Sequence, residues 1–174
     1  MTTFDQLLTE QIGHEFAASQ QYIAIAVWFD DHDLPQLASH FYRQSVEERN
    51  HAMMLVQYRL DRDMGVTIPG VPDVQTEFSD HTEPIRLSLE QEKRVSEQIQ
   101  ALFAAARAEG DGLGEQAMLW FLKEQVEEVA SMATLLNIAE RTTNLFDIEN
   151  FVARDMPSGA AVEADAPPAA GGAL

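Results

Sequence analysis

Six polar residues of this chain repeat one spacing twice. In each half of the chain, two of them lie 33 residues apart, and a third follows three positions later. If each half folds into a helical hairpin, equal spacing places the paired side chains at the same height, and residues at i and i+3 share a helix face. All six should therefore converge on one point. They are Glu15, Glu48 and His51 in the first half and Glu92, Gln125 and Glu128 in the second.

The expected cluster carries several negative charges and lacks a basic partner. Arg49 and Lys123 stand nearby in sequence, but both point off the shared helix face. Carboxylates buried together without a counter-charge would cost many kcal/mol or would have to take up protons, so a bound cation is expected. Carboxylates with one imidazole and no thiolate suit iron, manganese or zinc, and such a set is typical of di-iron carboxylate sites in helical bundles.

The two halves of the cluster differ in their ligands. Glu48 and His51 form a Glu-x-x-His pair, whereas Gln125 and Glu128 occupy the corresponding positions of the second half. A single pair of this kind on a helix is usually a solvated surface pair, but the duplicated spacing favours a metal site. The two metal positions should therefore be unequal.

Further residues adjoin the expected cluster. Tyr22 is on the same stripe and is either a core residue or a phenol that hydrogen-bonds a ligand or supplies an electron. Glu47, Glu124 and Glu127 flank the cluster and form either a solvated acidic face or a third, looser metal position. Surface or loop positions are expected for the other histidines, His14, His32, His40 and His81.

Helix start signals place the first three ligands on two long helices. The first helix is expected over residues 3–31, where Thr3 and Gln6 form a capping box. Asp33 and Gln36 should cap the second helix, which runs for about 30 residues and ends at Gly65.

The second half of the chain repeats this arrangement. Helices are expected over residues 84–109 and 115–141, separated by a short glycine-containing turn. Asn144 should cap a short amphipathic fifth helix that ends before residue 157. Its apolar side is expected to hold Leu145, Ile148, Phe151 and Val152.

Loop lengths decide how the four long helices pair. The first and second helices, and likewise the third and fourth, are joined by few residues, so each pair should form an antiparallel hairpin. About 18 residues separate the two hairpins. Extended, they reach roughly 60 Å, more than the ~45 Å of a 30-residue helix. We therefore predict an all-α four-helix bundle with one long crossover and a short fifth helix.

Each long helix carries an apolar stripe whose middle is polar. Steps of four and three residues select positions that are apolar at both ends and acidic near the centre. In the first helix these are Phe4, Leu8, Gln11, Glu15, Ala18, Tyr22, Ile25 and Phe29, and in the third they are Ile85, Leu89, Glu92, Ser96, Ile99 and Phe103.

The composition excludes several classes of function. With 29 acidic and 11 basic residues the formal charge is −18, which disfavours nucleic acid and anionic membrane surfaces and favours cations. The absence of cysteine excludes disulfides, thiolate zinc sites, iron–sulfur clusters and cysteine nucleophiles. No segment has the pattern of a secretory signal or a membrane span, so a soluble cytoplasmic protein is expected.

Three segments, HEFAASQQY, VEERNHA and KEQVEEVA, resemble the ligand-bearing segments of non-haem bacterial ferritins. The resemblance covers residues 4–155 and is strongest to actinobacterial ferritins, which are often named bacterioferritin. It implies a ferritin-like bundle and a set of iron ligands. The first iron would be held by Glu15, Glu48 and His51, with Glu48 bridging, and the second by Glu92 and Glu128, with Gln125 beside it and Tyr22 as the site tyrosine. The third-site carboxylates would be Glu47, Glu124, Glu127 and Glu128.

The resemblance also implies a function. It is iron storage with ferroxidase activity, in which Fe²⁺ and dioxygen are the substrates and a hollow homo-oligomeric shell of 24 subunits holds the Fe³⁺ mineral. Haem is not expected, because Arg49 stands where bacterioferritins carry a haem-ligating methionine. The resemblance does not assign the iron entry route, since Glu115 matches one pore carboxylate of animal ferritins but Met118 replaces the other.

Two other functions are compatible with the same bundle. A di-iron or di-manganese oxidase or oxygenase would need a substrate pocket beside the metals. A purely structural helical module would leave the buried carboxylates unexplained.

The last residues of the chain differ in composition from the bundle. We expect residues 1–156 to form one diiron domain and residues 157–174, rich in Ala, Gly and Pro, to form a mobile tail that contributes nothing to the core. A competing possibility is that the final GGAL segment docks onto an unknown partner.

Overall fold

The computed structural model describes residues 3–156 and 165–174. Within these ranges the regular secondary-structure elements are all α-helices. None of these helices is both long enough and apolar enough to span a bilayer. The helices α1 and α2 form one hairpin, α3 and α4 form the other, α1 also packs against α3, and α5 packs against α2. The predicted fold class is confirmed. The helices are α1 Phe4–Asp31, α2 Pro35–Asp61, α3 Thr82–Glu109, α4 Gly112–Arg141 and α5 Leu145–Asp155.

Two of the predicted helix starts form as expected. The Thr3 hydroxyl accepts a hydrogen bond from the Gln6 amide N–H at 3.2 Å, and the Gln6 side chain accepts one from the Thr3 N–H at 3.0 Å, which is a complete capping box. At α5, the Asn144 side chain accepts a bond from the Phe146 N–H at 3.2 Å. Both caps satisfy backbone donors that have no partner within the helix.

The start of α2 differs from its prediction. Asp33 adopts a left-handed backbone conformation with φ of 58° and does not cap the helix. Instead the Glu149 carboxylate of α5 accepts hydrogen bonds from the N–H groups of Gln36 and Leu37, both at 2.9 Å. A carboxylate at a helix N-terminus satisfies free donors and complements the helix dipole. The predicted cap was wrong because a residue more than 100 positions away occupies that place.

The crossover between the hairpins lies against the outer side of α1. The Gln75 backbone and the Gln21 side chain exchange two hydrogen bonds, at 2.8 and 2.9 Å. Closer to its start, the loop places Pro69 over Gly13, where an added Cβ would lie 3.0 Å from the proline Cγ. The glycine in α1 therefore permits the close approach of the loop, and the predicted long crossover is confirmed.

A polar layer divides the core into two apolar clusters. One cluster contains Tyr22, Phe29 and Phe41, and the other contains Phe4 and Leu55. The predicted stripe of α1 is buried along its whole length, whereas Ser96 and Phe103 of the α3 stripe are only half-buried. The buried members of the polar layer are Gln11, Glu15, Gln44, Glu48, His51, Glu92 and Gln125.

Residues 165–174 lie against α2. The Ala170 N–H donates to the Met53 carbonyl at 3.0 Å, and the Leu174 N–H donates to the Asn50 side chain at 3.1 Å. Ala166, Ala169 and Ala170 pack against the core cluster of Phe4 and Leu55. The prediction that the tail contributes nothing to the core is therefore wrong for these residues, because small alanine side chains pack closely without any apolar period. Residues 157–164, with the predicted domain boundary, lie outside the described residues.

On α5, Ile148 and Val152 are buried and Phe151 is half-buried, as the predicted apolar side requires. Leu145, assigned to the same side, is instead 41% exposed, and Phe146 beside it is 77% exposed. The first turn of α5 therefore extends past the core of this chain.

Candidate metal centre

The polar layer brings together a compact group of potential metal ligands. Glu15 comes from the middle of α1, and Glu48 and His51 lie one turn apart on α2. Each offers one ligand atom, and these atoms lie within 4.8 Å of one another. All three side chains are buried. The structure therefore brings together the three residues that the ferritin resemblance assigns to the first iron.

Glu48 is the least satisfied side chain of this group. Neither of its carboxylate oxygens has a hydrogen-bond partner, and the nearer atom of His51, Nδ1, lies 3.5 Å away. Burial raises the pKa of Glu48 well above its ordinary value, and the neighbouring carboxylates Glu92 and Glu15 raise it further. A buried carboxylate without donors is costly unless a cation or a proton satisfies it. This arrangement fits a cation shared between Glu48 and its neighbours.

His51 is held as a neutral imidazole. Burial lowers its pKa, and its ring packs edge-on against Trp120 and Phe121, each with a centroid distance of 5.8 Å. A neutral imidazole keeps a lone pair on one nitrogen, which is the form that binds metals.

Gln11 supports the group from one turn away on α1. Its Nε2 donates to Glu15 Oε1 at 2.8 Å, while Glu15 Oε2 has no partner and stays available. The sequence placed Gln11 on the core stripe but gave it no role. Its spacing of four residues before Glu15 is the signal that could have found this contact.

The second half of the cluster centres on Glu92. Both of its carboxylate oxygens accept hydrogen bonds, Oε1 from the Tyr22 hydroxyl and Oε2 from the Gln125 amide at 3.3 Å. Burial raises the pKa of Glu92 to about 7, although these two donors oppose the rise. Tyr22 is itself fully buried, and burial together with the charge of Glu92 raises its pKa, so it stays a neutral phenol. Tyr22 is therefore both a core residue and a hydrogen-bond donor to a candidate metal ligand, which are two of the roles that the sequence suggested.

Glu128 is half-buried on α4 beside the same layer. Burial raises its pKa well above the ordinary value, and the charges of Glu92 and Glu47 add to this effect. Among the described residues, however, the group whose ligand atoms all lie within 4.8 Å of one another consists of Glu15, Glu48 and His51. It does not include Glu92 and Glu128. The structure therefore groups the ligands of the first half more tightly than Glu92 and Glu128, and the inequality of the two metal positions stays a prediction.

A groove of about 850 Å³ opens beside the cluster between α2 and α4. Glu47 is half-buried there, accepts a hydrogen bond from Gln44 and has a pKa raised by burial, so it is not an ordinary solvated acid. Glu127 is exposed, as the solvated-face interpretation requires. The groove is also lined by Glu124, Glu128, His51 and Leu174. The proximity of the tail to these acids is a feature that the sequence did not reveal.

The other histidines divide between surface and core. His14 and His32 are exposed, as expected, whereas His40 is buried and burial lowers its pKa to about 4. One turn along α2, the Arg43 guanidinium donates to the Met156 carbonyl at the end of α5 at 3.1 Å. The surface expectation for His40 is wrong because α5 packs against α2, so that positions off the central stripe also become buried.

Comparisons with known proteins agree with this architecture. A family model described as a ferritin-like domain matches residues 5–142. Ferritin BfrB of Mycolicibacterium smegmatis is 62% identical over 174 residues, spanning 99% of this chain and 96% of that protein, and Bacterioferritin BfrB of Mycobacterium tuberculosis is 59% identical over the same shares. A solved open-pore ferritin from Archaeoglobus fulgidus has the same fold, with a TM-score of 0.82 and 24% identity over 87% of this chain and 94% of that one. The resemblance inferred from three short segments thus extends over the whole bundle, and the chain belongs to the ferritin family.

Proposed function

We propose that this protein stores iron and oxidises Fe²⁺ with dioxygen at the buried centre between its four long helices. The observation that carries the proposal is the pair of unpartnered carboxylate oxygens of Glu48 beside Glu15 and His51. Several relatives of this chain are themselves named ferritins, which supports iron as the metal. Oxygen and imidazole donors without thiolate also suit iron.

The side chains divide the binding of two Fe²⁺ substrates between them. Glu15, Glu48 and His51 bind the first ion, and Glu48 reaches from it towards the second, which Glu92 and Glu128 bind. Tyr22 orients Glu92 through its hydroxyl, and Gln125 does so through its amide. Each Fe²⁺ gives one electron to dioxygen, and the carboxylate charge stabilises the more positive Fe³⁺ product.

Glu47, Glu124 and Glu127 extend the acidic surface from the centre into the groove. We propose that, with Glu128, they form a third cation position on the way from the centre to the mineral. The half-buried position of Glu47 supports this role over that of an ordinary solvated face.

The proposed storage form is a hollow cytoplasmic shell of 24 subunits without haem. Exposed apolar side chains on α4 and α5 support assembly, because Val126 and Phe146 are 70% and 77% exposed in the single chain. Exposed apolar side chains mark a contact surface where they lie together in one patch.

A diiron oxidase acting on an organic substrate is the second candidate. It requires a pocket beside the metals, and the groove between α2 and α4 has that position. The groove carries the carboxylates Glu47, Glu124 and Glu127, and relatives of this chain are named ferritins, so we prefer storage.

Aerobic loading with Fe²⁺ tests the proposal. A storage protein should elute from size exclusion as a large particle carrying many iron ions per chain, with a ferric absorbance that coelutes. A small oligomer that retains only about two irons per chain would support the oxidase instead.

Cation binding at the centre should release protons. Because burial raises the pKa of Glu92 to about 7, its carboxyl is partly protonated near neutral pH, and a bound cation displaces that proton. The pKa of Glu48 is also raised by burial, which acts in the same direction. We expect Zn²⁺ affinity to fall about tenfold per pH unit below about 7 for each proton released. Calorimetry in two buffers with different ionisation enthalpies measures that release, and identical heats in both buffers would contradict it.

Changing Glu127→Ala should slow the movement of iron out of the centre while leaving the binding of the first two ions intact. The expected result is a second round of Fe²⁺ oxidation slowed by about three- to tenfold, or a changed ratio of iron to oxygen consumed. Sequential stopped-flow additions measure this, with Glu97→Ala on the exposed side of α3 as the control. If both variants behave as wild type, Glu127 is only part of a solvated acidic face.

A further inference from the structure

The amide of Gln125 lies between two hydrogen-bonding groups of α3. Its Oε1 accepts a bond from the Ser96 hydroxyl at 2.9 Å, and its Nε2 donates to Glu92 Oε2 at 3.3 Å. The Ser96 hydroxyl also lies 2.8 Å from the backbone carbonyl of Glu92, one helical turn earlier. Gln125 is buried and Ser96 is half-buried, so the protein determines most of their contacts.

The Ser96 hydroxyl has one proton and two acceptors within reach. It donates either to the Gln125 amide oxygen or to the Glu92 carbonyl, and its own oxygen has lone pairs that accept hydrogen bonds. When the proton goes to the carbonyl, the hydroxyl oxygen becomes an acceptor for an amide N–H. Ser96 therefore suits either orientation of the Gln125 amide, whose oxygen and nitrogen ends have nearly the same shape.

A cation on Glu92 changes which orientation is favourable. Without a cation, the Gln125 NH₂ group faces the Glu92 carboxylate and stabilises its charge. With a cation there, the positive hydrogens of that group would be repelled and the amide oxygen would be attracted.

We propose that Ser96 is a positioning residue that allows Gln125 to reverse its amide when a cation binds Glu92. In the reversed state the Ser96 proton is donated to the Glu92 carbonyl, Gln125 Nε2 donates to the Ser96 oxygen, and Gln125 Oε1 faces the cation. Gln125 thus acts as a hydrogen-bond donor in the empty centre and as an oxygen group in the loaded one. This inference rests on the proposed function in one respect, that Glu92 binds a cation.

A fixed amide leads to the opposite expectation. If Ser96 only held Gln125 in the donor orientation, the cation would have to displace that hydrogen bond. Loss of the Ser96 hydroxyl would then leave cation affinity unchanged or increase it. If Ser96 supports the reversal, its loss leaves the buried Gln125 NH₂ group without an acceptor in the loaded state and only the amide oxygen without a donor in the cation-free state. The unpaired N–H costs more, so binding at the second position weakens, and the sign of the change separates the two accounts.

Anaerobic titration with Co²⁺ tests the proposal without iron oxidation. Calorimetry and the visible absorption of the bound Co²⁺ monitor the binding. Wild type should bind two Co²⁺ per chain, and Ser96→Ala should weaken the second by about three- to tenfold while leaving the first unchanged. Ser96→Thr keeps the hydroxyl and should restore the affinity. Ser88→Ala is the matched control, because Ser88 makes the same type of bond, to the Pro84 carbonyl at 2.8 Å, on the same helix.

A double-mutant cycle adds a measurement that general destabilisation of α3 would not reproduce. In Gln125→Glu, oxygen atoms occupy both ends of the side chain and no reversal is needed, so Ser96→Ala should have no further effect on Co²⁺ affinity. Equal losses in Ser96→Ala and Ser88→Ala, or an unchanged or tighter second site in Ser96→Ala, would overturn the proposal. If wild type binds no Co²⁺ at the centre, the proposed function itself fails, and the wild-type titration shows this directly.

Discussion

Replacing Glu48 with alanine should nearly abolish fast Fe²⁺ oxidation, lowering the initial rate by at least about 100-fold. Glu48 is the proposed ligand of both irons, and both of its oxygens lack partners within the protein. Stopped-flow absorbance of the ferric product measures the rate. His51→Ala should affect the first position in particular, because His51 supplies the nitrogen ligand proposed there.

The Glu48→Ala variant should still fold and assemble. Glu48 is buried among other carboxylates whose charges raise its pKa, so its removal relieves unfavourable electrostatics. Size exclusion should show a particle of wild-type size, and Glu48→Gln, which keeps the shape of the side chain, should match Glu48→Ala in activity. Glu97→Ala, on the exposed side of α3, is the control that should keep wild-type activity. Wild-type initial rates in an assembled Glu48→Ala shell would refute the assigned ligand.

Truncation before α5, leaving residues 1–144, should strongly weaken the shell. It removes Ile148 and Val152 from the core, at a cost of several kcal/mol, and it removes the Glu149 carboxylate from the start of α2. We expect a melting temperature lower by at least about 10 °C and a loss of large particles in size exclusion.

A shorter truncation, leaving residues 1–164, is the matched control for that experiment. It removes the hydrogen bonds that Ala170 and Leu174 make with α2 but keeps the whole of α5. Assembly should be retained, with only a small decrease in melting temperature. If the two truncations behave alike, the contacts of α5 are not what stabilises the shell.

The bundle and most of its candidate centre were predictable from local patterns. The equal spacing from Glu15 to Glu48 and from Glu92 to Gln125 is a geometric statement about hairpins, and it needs no knowledge of packing. The capping box at Thr3 is equally local, because every atom involved lies within one helical turn.

The features that were missed depend on contacts between distant segments. Glu149 caps α2, and α5 packs against the helix that carries His40, although nothing in the sequence near residue 40 indicates either. Arg59 is buried because it donates to the Gly65 and Asp5 carbonyls and so fixes the start of the crossover to α1. Ala170 packs against α2 because its side chain is small, and no periodic pattern of apolar residues indicates this contact.

Anomalous diffraction at the iron edge, from crystals loaded anaerobically with Fe²⁺, locates the bound iron ions. We predict two iron peaks per chain in the polar layer, ~3.5–4 Å apart, one beside Glu15, Glu48 and His51 and the other beside Glu48, Glu92 and Glu128. A third, weaker peak is expected near Glu127. Iron confined to the acidic groove, with no peak beside Glu48, would contradict the account.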